Sequence, residues 1–279
     1  MRAAAIQLNS TEDAARNLAA ADRLVREAAA AGATLIVLPE KWPALGPADV
    51  LLRNAQALDG PVVTWALALA GELGVDLVAG SISERRPGAE KLANTSVHAG
   101  PDGTLKAVYR KVHLFDVEVA GRTYRESEAE APGDTAVLTA TADGTPVGMS
   151  ICYDLRFGEL YSALAGAGAR ILCVPAAFTL ATTRDHWLVL LRARAIENQC
   201  FVVAANQVGE HPGGMVSGGQ SVIIDPWGAV IAEVVDGEGF CSAELDLAEQ
   251  DRIRAEMPVR GHRVPEAYRV SDAREKVTP

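Results

Sequence analysis

Short, continuously apolar runs separated by alanine-rich stretches constrain this chain more than any other feature. The run Thr34–Pro39 (TLIVLP) is apolar almost throughout and ends at a proline, the pattern of a strand buried on both faces. The same grammar recurs in VDLVAG, TPVGMSI, RILCVP, CFVVAAN and SVIIDPWG, after a first strand at RAAAIQL. Between the runs, Ala14, Leu18, Ala21, Val25 and Ala28 step by fours and threes, so one face of a helix is apolar. Ser10 with Asp13 has the form of a capping box at its start, and Gly32 stands where a left-handed cap ends it. Further helices are predicted over 47–73, 157–167 and 184–198. NTSVHAGPDGTLKAVYR and SVIIDPWGAVIAE read as hairpins around Pro-Asp-Gly and Pro-Trp-Gly turns. Strands interleaved with helices, together with hairpins, predict an α/β protein with mixed β-sheets. No repeat of fixed period and no linker interrupts the pattern, so residues 1–279 read as one domain.

Several function classes fall away. The net charge of −10 argues against a general polyanion binder, which needs a basic face. No apolar run approaches the about 18–20 residues that cross a bilayer. Gln7 and Asn9 interrupt any apolar leader. Cys152, Cys173, Cys200 and Cys241 form no C-x-x-C pair, so a reducing cytoplasm is expected. The histidines (His98, His113, His186, His211, His262) show no H-x-x-x-H spacing, and no metal or cofactor is expected. G-x-G-x-x-G after the first strand, a Walker lysine and G-x-S-x-G are all missing.

Three reactive side chains sit at ends of apolar runs, where ligand sites of α/β sheets lie. Glu40 follows LIVLP, and desolvation there disfavours its charge, as suits a general base. Taken alone, such a carboxylate is more often solvated or a helix cap. Lys111 follows VYR, a place where a lone lysine is usually surface charge. Cys152 ends GMSI and is followed at once by Tyr153, Asp154 and Arg156, whereas Cys173 and Cys200 lie inside apolar runs. An isolated cysteine is more often inert core than nucleophile.

The ordered set carries more than its members. LPE at 38–40, YRKVHLFD at 109–116 and SICYDLRFGEL at 150–160 resemble the signature segments of the nitrilase superfamily of carbon–nitrogen hydrolases, in the order Glu, Lys, Cys. GRTYRESEAEAPGD, DHWLVLLRARAIENQCFVVAANQVG and SGGQSVIIDPWGAV extend the resemblance over nearly the whole chain. The omega-amidase and deaminated-glutathione amidase branches look most similar. The resemblance implies a four-layer αββα sandwich with two mixed β-sheets between helix layers, no cofactor, and a homodimer or higher homo-oligomer. A tail at about 258–279 is expected at the oligomer interface.

The resemblance also implies roles. Glu40 is the base, Lys111 the cation, Cys152 the nucleophile, and Glu126 a second glutamate beside the lysine. Lys111 and the backbone amide of Tyr153 would meet the oxyanion, and Lys111 would favour the thiolate. Gly158 replaces the proline usual after the cysteine segment, which would loosen the following helix. Separately, Arg184 in AAFTLATTRDHW follows the apolar run RILCVP and would emerge near Cys152 as the partner of a substrate carboxylate, unless it pairs at the surface with Asp185, Glu126 or solvent; Arg156 is its rival unless Asp154 ties it down. The expected reaction is hydrolysis of a small linear ω-amide bearing a carboxylate. The alternatives are N-carbamoyl hydrolysis and a catalytically silent metabolite- or protein-binding member.

Overall fold

The computed structural model describes residues 1–268. The chain runs through β1 (Arg2–Gln7), α1 (Ala14–Ala30), β2 (Leu35–Val37), α2 (Ala48–Asn54), α3 (Pro61–Leu73), β3 (Asp76–Val78), β4 (Ile82–Glu84), β5 (Ala93–Ala99) and β6 (Leu105–Arg110). A hairpin, β7 (Asp116–Val119) and β8 (Arg122–Arg125), stands apart. Then come β9 (Val137–Ala140), β10 (Pro146–Met149), α4 (Gly158–Gly166) and β11 (Ile171–Ala176). The turn α5 (Leu180–Thr182) passes through a π turn (Thr183–Trp187) into α6 (Leu188–Asn198). The chain continues with β12 (Phe201–Asn206), β13 (Val208–Glu210), β14 (Val216–Gly218), β15 (Val222–Ile224), β16 (Val230–Glu233), β17 (Gly239–Glu244) and α7 (Leu247–Glu256).

Two mixed sheets result. One is seven-stranded, ordered β17-β1-β2-β3-β5-β4 with β6 also on β5; the other is six-stranded, ordered β16-β15-β12-β11-β10-β9. The alternation of side chains along β1 and β2 explains their unbroken apolar runs. Ala3, Ala5, Leu35 and Val37 pack in one core with residues of the second sheet, while Ala4, Ile6, Ile36 and Leu38 face Leu24, Val25, Val63 and Ala66 of α1 and α3. Across the second sheet, Leu160, Leu164 and Leu191 of α4 and α6 close the outer side. Helix, sheet, sheet, helix is the expected four-layer sandwich, of nitrilase-like fold.

Two local readings change. The cap of α1 is Asp13, whose carboxylate accepts from Ala15 N and Arg16 N at 3.0 Å each. Ser10 is instead buried and donates to Trp42 O at 2.9 Å. The helix predicted over 47–73 is two helices, because Gln56 leaves the helical path to pair with Ser83 and Pro61 then starts a new one. Gly158 is itself the first residue of α4. Of the tail, 258–268 carries two short 3-10 turns, and the rest lies outside the described residues. No helix among the described residues is long and apolar enough to cross a membrane.

Candidate active site

The parallel strands β2, β10 and β11 end on the same side of the molecule, so the segments that follow them converge. Glu40, Lys111, Glu126, Cys152, Tyr153 and Arg156 all line one cavity of about 340 Å3 there.

The turn after β2 that carries Glu40 is fixed from three directions. Gln207 Nε2 donates to its carbonyl at 3.0 Å, Ser81 Oγ accepts from Lys41 N at 2.9 Å, and Trp42 Nε1 donates to Ala79 O at 2.9 Å. The crossing is so close that a Cβ on Gly80 would lie 2.0 Å from Pro39 O, and Gly80 also has a φ of 58°. Only glycine fits that position. The carboxylate then accepts from Ala177 N at 2.9 Å and Asn94 Nδ2 at 2.7 Å.

Lys111 follows β6, and its ammonium donates to Glu40 Oε1 at 3.0 Å and to Glu126 Oε1 and Oε2 at 3.0 and 2.8 Å. Cys152 opens a single 3-10 turn with a φ of 49°. That left-handed conformation is strained for a residue with a Cβ. Asp154 holds the turn in place. It is fully buried and accepts from Tyr109 Oη, Ile151 N and His113 N at 2.6, 2.9 and 3.1 Å, with His113 Nδ1 a further 2.8 Å contact. One carboxylate thus ties the lysine segment to the cysteine segment. The Tyr153 amide lies before the first bond of the turn, Asp154 N to Ile151 O, so it has no acceptor within that turn.

The electrostatics follow from burial and neighbours. Burial opposes the Lys111 ammonium, but Glu126 and Glu40 outweigh it and hold the lysine well above its usual range. Burial pushes the Cys152 thiol well up and the Glu40 charge adds to this, against the opposing pull of Lys111. Burial and the Glu40 charge thus favour the thiol over the thiolate, against the pull of the lysine alone. Burial also acts on Glu126, yet Lys111 and Lys41 keep it well below the usual carboxylate range.

A cysteine beside a buried carboxylate and a fixed ammonium is equipped for acyl transfer. The carbon–nitrogen hydrolase family model matches residues 2–255. The chain belongs to the carbon–nitrogen hydrolase family. It is an enzyme of that class, an amidase. It is 42% identical to the deaminated glutathione amidase of Mus musculus over 95% of this chain and 84% of that one. It is 38% identical to the omega-amidase NIT2-A of Xenopus laevis over 92% and 93%. The structure of Saccharomyces cerevisiae Nit3, a member of branch 10 of the nitrilase superfamily, superposes with a TM-score of 0.86 at 30% identity, covering 96% of this chain and 97% of that one.

The two arginines of this hydrolase differ. Arg156 lines the cavity, lies over the rings of Tyr153 and Phe178 at 5.7 and 5.4 Å, and contacts His186 Nδ1 at 3.3 Å. It is not tied to Asp154, whose oxygens are taken by Tyr109 and His113. Arg184, the favoured anchor from sequence, is exposed in the π turn and is not part of the cavity lining. The run after β11 does reach the cavity, through Ala177, Phe178, Thr179 and Thr182, but Arg184 lies past that stretch and outside the lining. Thr123, Tyr124 and Arg125 of the β7–β8 hairpin cover one side of the cavity, and Arg122 straps that hairpin to Gly213 O at 2.6 Å and to Gly214 O.

Sequence reasoning missed Lys41, Asn94 and Glu130. Asn94 Nδ2 touches both Glu40 and Glu126, at 2.7 and 3.3 Å. Lys41 and Glu130 line the same cavity. Their signal was available in one form only: a charge directly after Glu40 and another four residues after Glu126. Among the described residues no group of three or more His, Cys, Asp or Glu side chains is arranged to hold a metal ion.

Proposed function

We propose that this hydrolase cleaves the C–N bond of a small linear amide that carries a carboxylate at its other end. The observation that supports this reading is the pairing, within one cavity, of Cys152 and the Glu40–Lys111 ion pair with Arg156, which has no carboxylate partner among the described residues. Arginine meets a carboxylate with two parallel hydrogen bonds. Arg156 is therefore the substrate anchor of this proposal, in place of Arg184.

Glu40 takes the Sγ proton as the sulfur attacks the amide carbon. The Lys111 ammonium and the Tyr153 amide donate to the developing oxyanion, and removing one such donor costs about 10²–10³ in rate. Glu40 returns the proton to the leaving nitrogen, the C–N bond breaks, ammonia departs and a Cys152 thioester remains. Water, deprotonated by Glu40, attacks the thioester, and the acid leaves as the thiol reforms. Glu126 fixes the Lys111 ammonium from the other side. The relatives named deaminated glutathione amidase and omega-amidase agree with this substrate class.

The same proposal takes the protein as a cytoplasmic homodimer. Its four cysteines are free, as a reducing compartment allows. Val189 and Ile196 of α6 and Trp227 of the β15–β16 turn are 67%, 49% and 61% exposed, an apolar face suited to a second copy. Incubation with ω-amides bearing a carboxylate should release ammonia without carbon dioxide and leave an acyl mass increment on Cys152. Carbon dioxide released with the ammonia would reveal a carbamoyl hydrolase and overturn the reading.

A further inference from the structure

The buried charge at this site extends beyond Glu40, Lys111 and Glu126. Lys41 follows Glu40 directly, at a φ of 49°, and is 7% exposed. Its Nζ lies 3.1 Å from Glu126 Oε1 and 2.9 Å from Glu130 Oε1. Five side chains thus alternate in sign along the wall of the cavity, from Glu40 through Lys111, Glu126 and Lys41 to Glu130. Glu130 is 1% exposed, and neither of its oxygens makes a hydrogen bond of normal angle, the Lys41 approach being an ion contact alone. A buried ion pair so sparsely supported is a poor device for stability, since apolar side chains of similar volume serve that end as well or better. Its position points to a different use.

We propose that Lys41 is a positioning residue of the hydrolysis, neutralising Glu126 from its far side so that Lys111 stays shared with Glu40 and the oxyanion, and that Glu130 governs how much of the Lys41 charge reaches Glu126. Glu126 already holds Lys111 through both oxygens, whereas Glu40 holds it through one. Without Lys41, the Glu126 charge would be met by Lys111 alone and would draw that ammonium away from Glu40. The excess of negative charge would then oppose both ionisation of the Cys152 thiol and growth of the oxyanion.

The charged groups facing Glu130 are Lys41, from the turn after β2, and Glu126, from its own turn, with Lys111 and Glu40 behind Glu126; Asn94 of β5 is neutral. Burial raises the Glu130 carboxyl to about 7, with Lys41 opposing and Glu126 adding. Below that pH Glu130 is neutral and the whole Lys41 charge serves Glu126. Above it the carboxylate competes for Lys41, so turnover falls as Glu130 ionises.

The inference rests on the roles proposed above for Glu40, Lys111, Glu126 and Cys152, so Cys152→Ala is carried as a control. The experiment measures kcat and KM across the pH range either side of about 7 for Lys41→Met, Lys41→Arg, Glu130→Gln and the double variant Lys41→Met/Glu130→Gln. Lys41→Met should lose about 10–100-fold in kcat with KM changed less than about 3-fold, and Lys41→Arg should recover part of that loss. The double variant buries no lone ion, so it should regain the thermal stability of the parent while kcat stays low. The parent should show a decline in kcat through neutral pH, and Glu130→Gln should lose it. A double variant with parental kcat, or a Glu130→Gln profile that still declines, overturns the inference. Turnover by Cys152→Ala would overturn instead the reading of the site on which it stands.

Discussion

Buried charged side chains gather at both ends of the strands, and the two groups are built on different terms. At the ends after β2 and β10 stand Glu40, Lys111, Glu126 and Cys152; at the opposite end Asp76, the first residue of β3, accepts from His98 Nε2, Lys106 Nζ and Ala142 N at 3.0, 3.2 and 2.8 Å. His98 Nδ1 continues to Thr139 Oγ1 at 3.0 Å and so links the two sheets. Burial raises the Asp76 carboxyl, but His98 and the Ala142 amide outweigh it and hold it below its usual range. That cluster satisfies its charged carboxylate and lines no part of the cavity. The other leaves Asn94 Oδ1 and both Glu130 oxygens without hydrogen bonds, and burial there pushes the Cys152 thiol well up. Buried charge alone is therefore not the mark of a site. The mark is charge left incompletely matched where a ligand can enter.

The contrast can be broken at several points. Cys152→Ala should reduce turnover by about 10⁴ or more while the protein stays folded. Cys173, also buried, with its thiol pushed up to about 12 by desolvation alone, should tolerate alanine with full turnover and a stability loss of about 1 kcal/mol. Equal loss of activity in both variants would erase the distinction between strand end and strand interior. Lys111→Arg and Glu40→Gln should each lower kcat by about 10²–10³, because a planar guanidinium cannot occupy the ammonium position and an amide cannot carry the proton. Arg156→Ala should raise KM by about 10-fold for an amide bearing a carboxylate and far less for a neutral amide of equal length. A matched rise for both would remove Arg156 as the anchor.

The smallest effect on turnover is expected at the other end. Asp76→Asn should leave kcat unchanged and lower unfolding stability by about 3 kcal/mol at neutral pH, measured by denaturant titration. Because the Asp76 carboxyl titrates lower in the folded chain than in the unfolded one, its contribution is full above about pH 4 and is lost as pH falls through the folded value. The gap between variant and parent should close there. A drop in kcat without a drop in stability would mean that the two ends are coupled.

The order of the two clusters' legibility follows the same physics. β2, β11 and β12 were readable because strands buried on both faces leave unbroken apolar runs. The β7–β8 hairpin was not, since it packs partly exposed over the cavity and the alternation of Asp116-Val117-Glu118-Val119 spans only four residues. The single helix expected over 47–73 overlooked the break after Asn54 and the restart at Gly60-Pro61. Glu40, Lys111 and Cys152 stood out as an ordered set at ends of apolar runs. Lys41 and Glu130 did not, because a lysine or glutamate in a polar stretch reads as solvated until a partner from another segment is seen to bury it. Arg184 misled for the opposite reason: nothing in AAFTLATTRDHW signals the turn that carries it to the surface.

Strand β1 is hydrogen-bonded between β2 and β17, pairing with β17 along its whole length from Arg2↔Glu244 to Gln7↔Gly239. Gln7 Nε2 reaches Gly237 O across 230 residues of chain. During synthesis, β1 is therefore made first and closed last, and one side of it remains an open edge until almost the entire sandwich has emerged. Glu40 waits as well, since its carbonyl is held by Gln207, 167 residues further on. Such pairing places this chain among slow folders, whose unfinished forms expose a strand edge able to recruit another copy. Chains cut short before β17 should accumulate as aggregates rather than as weakly active enzyme, and a lower temperature during expression should favour the completed sheet.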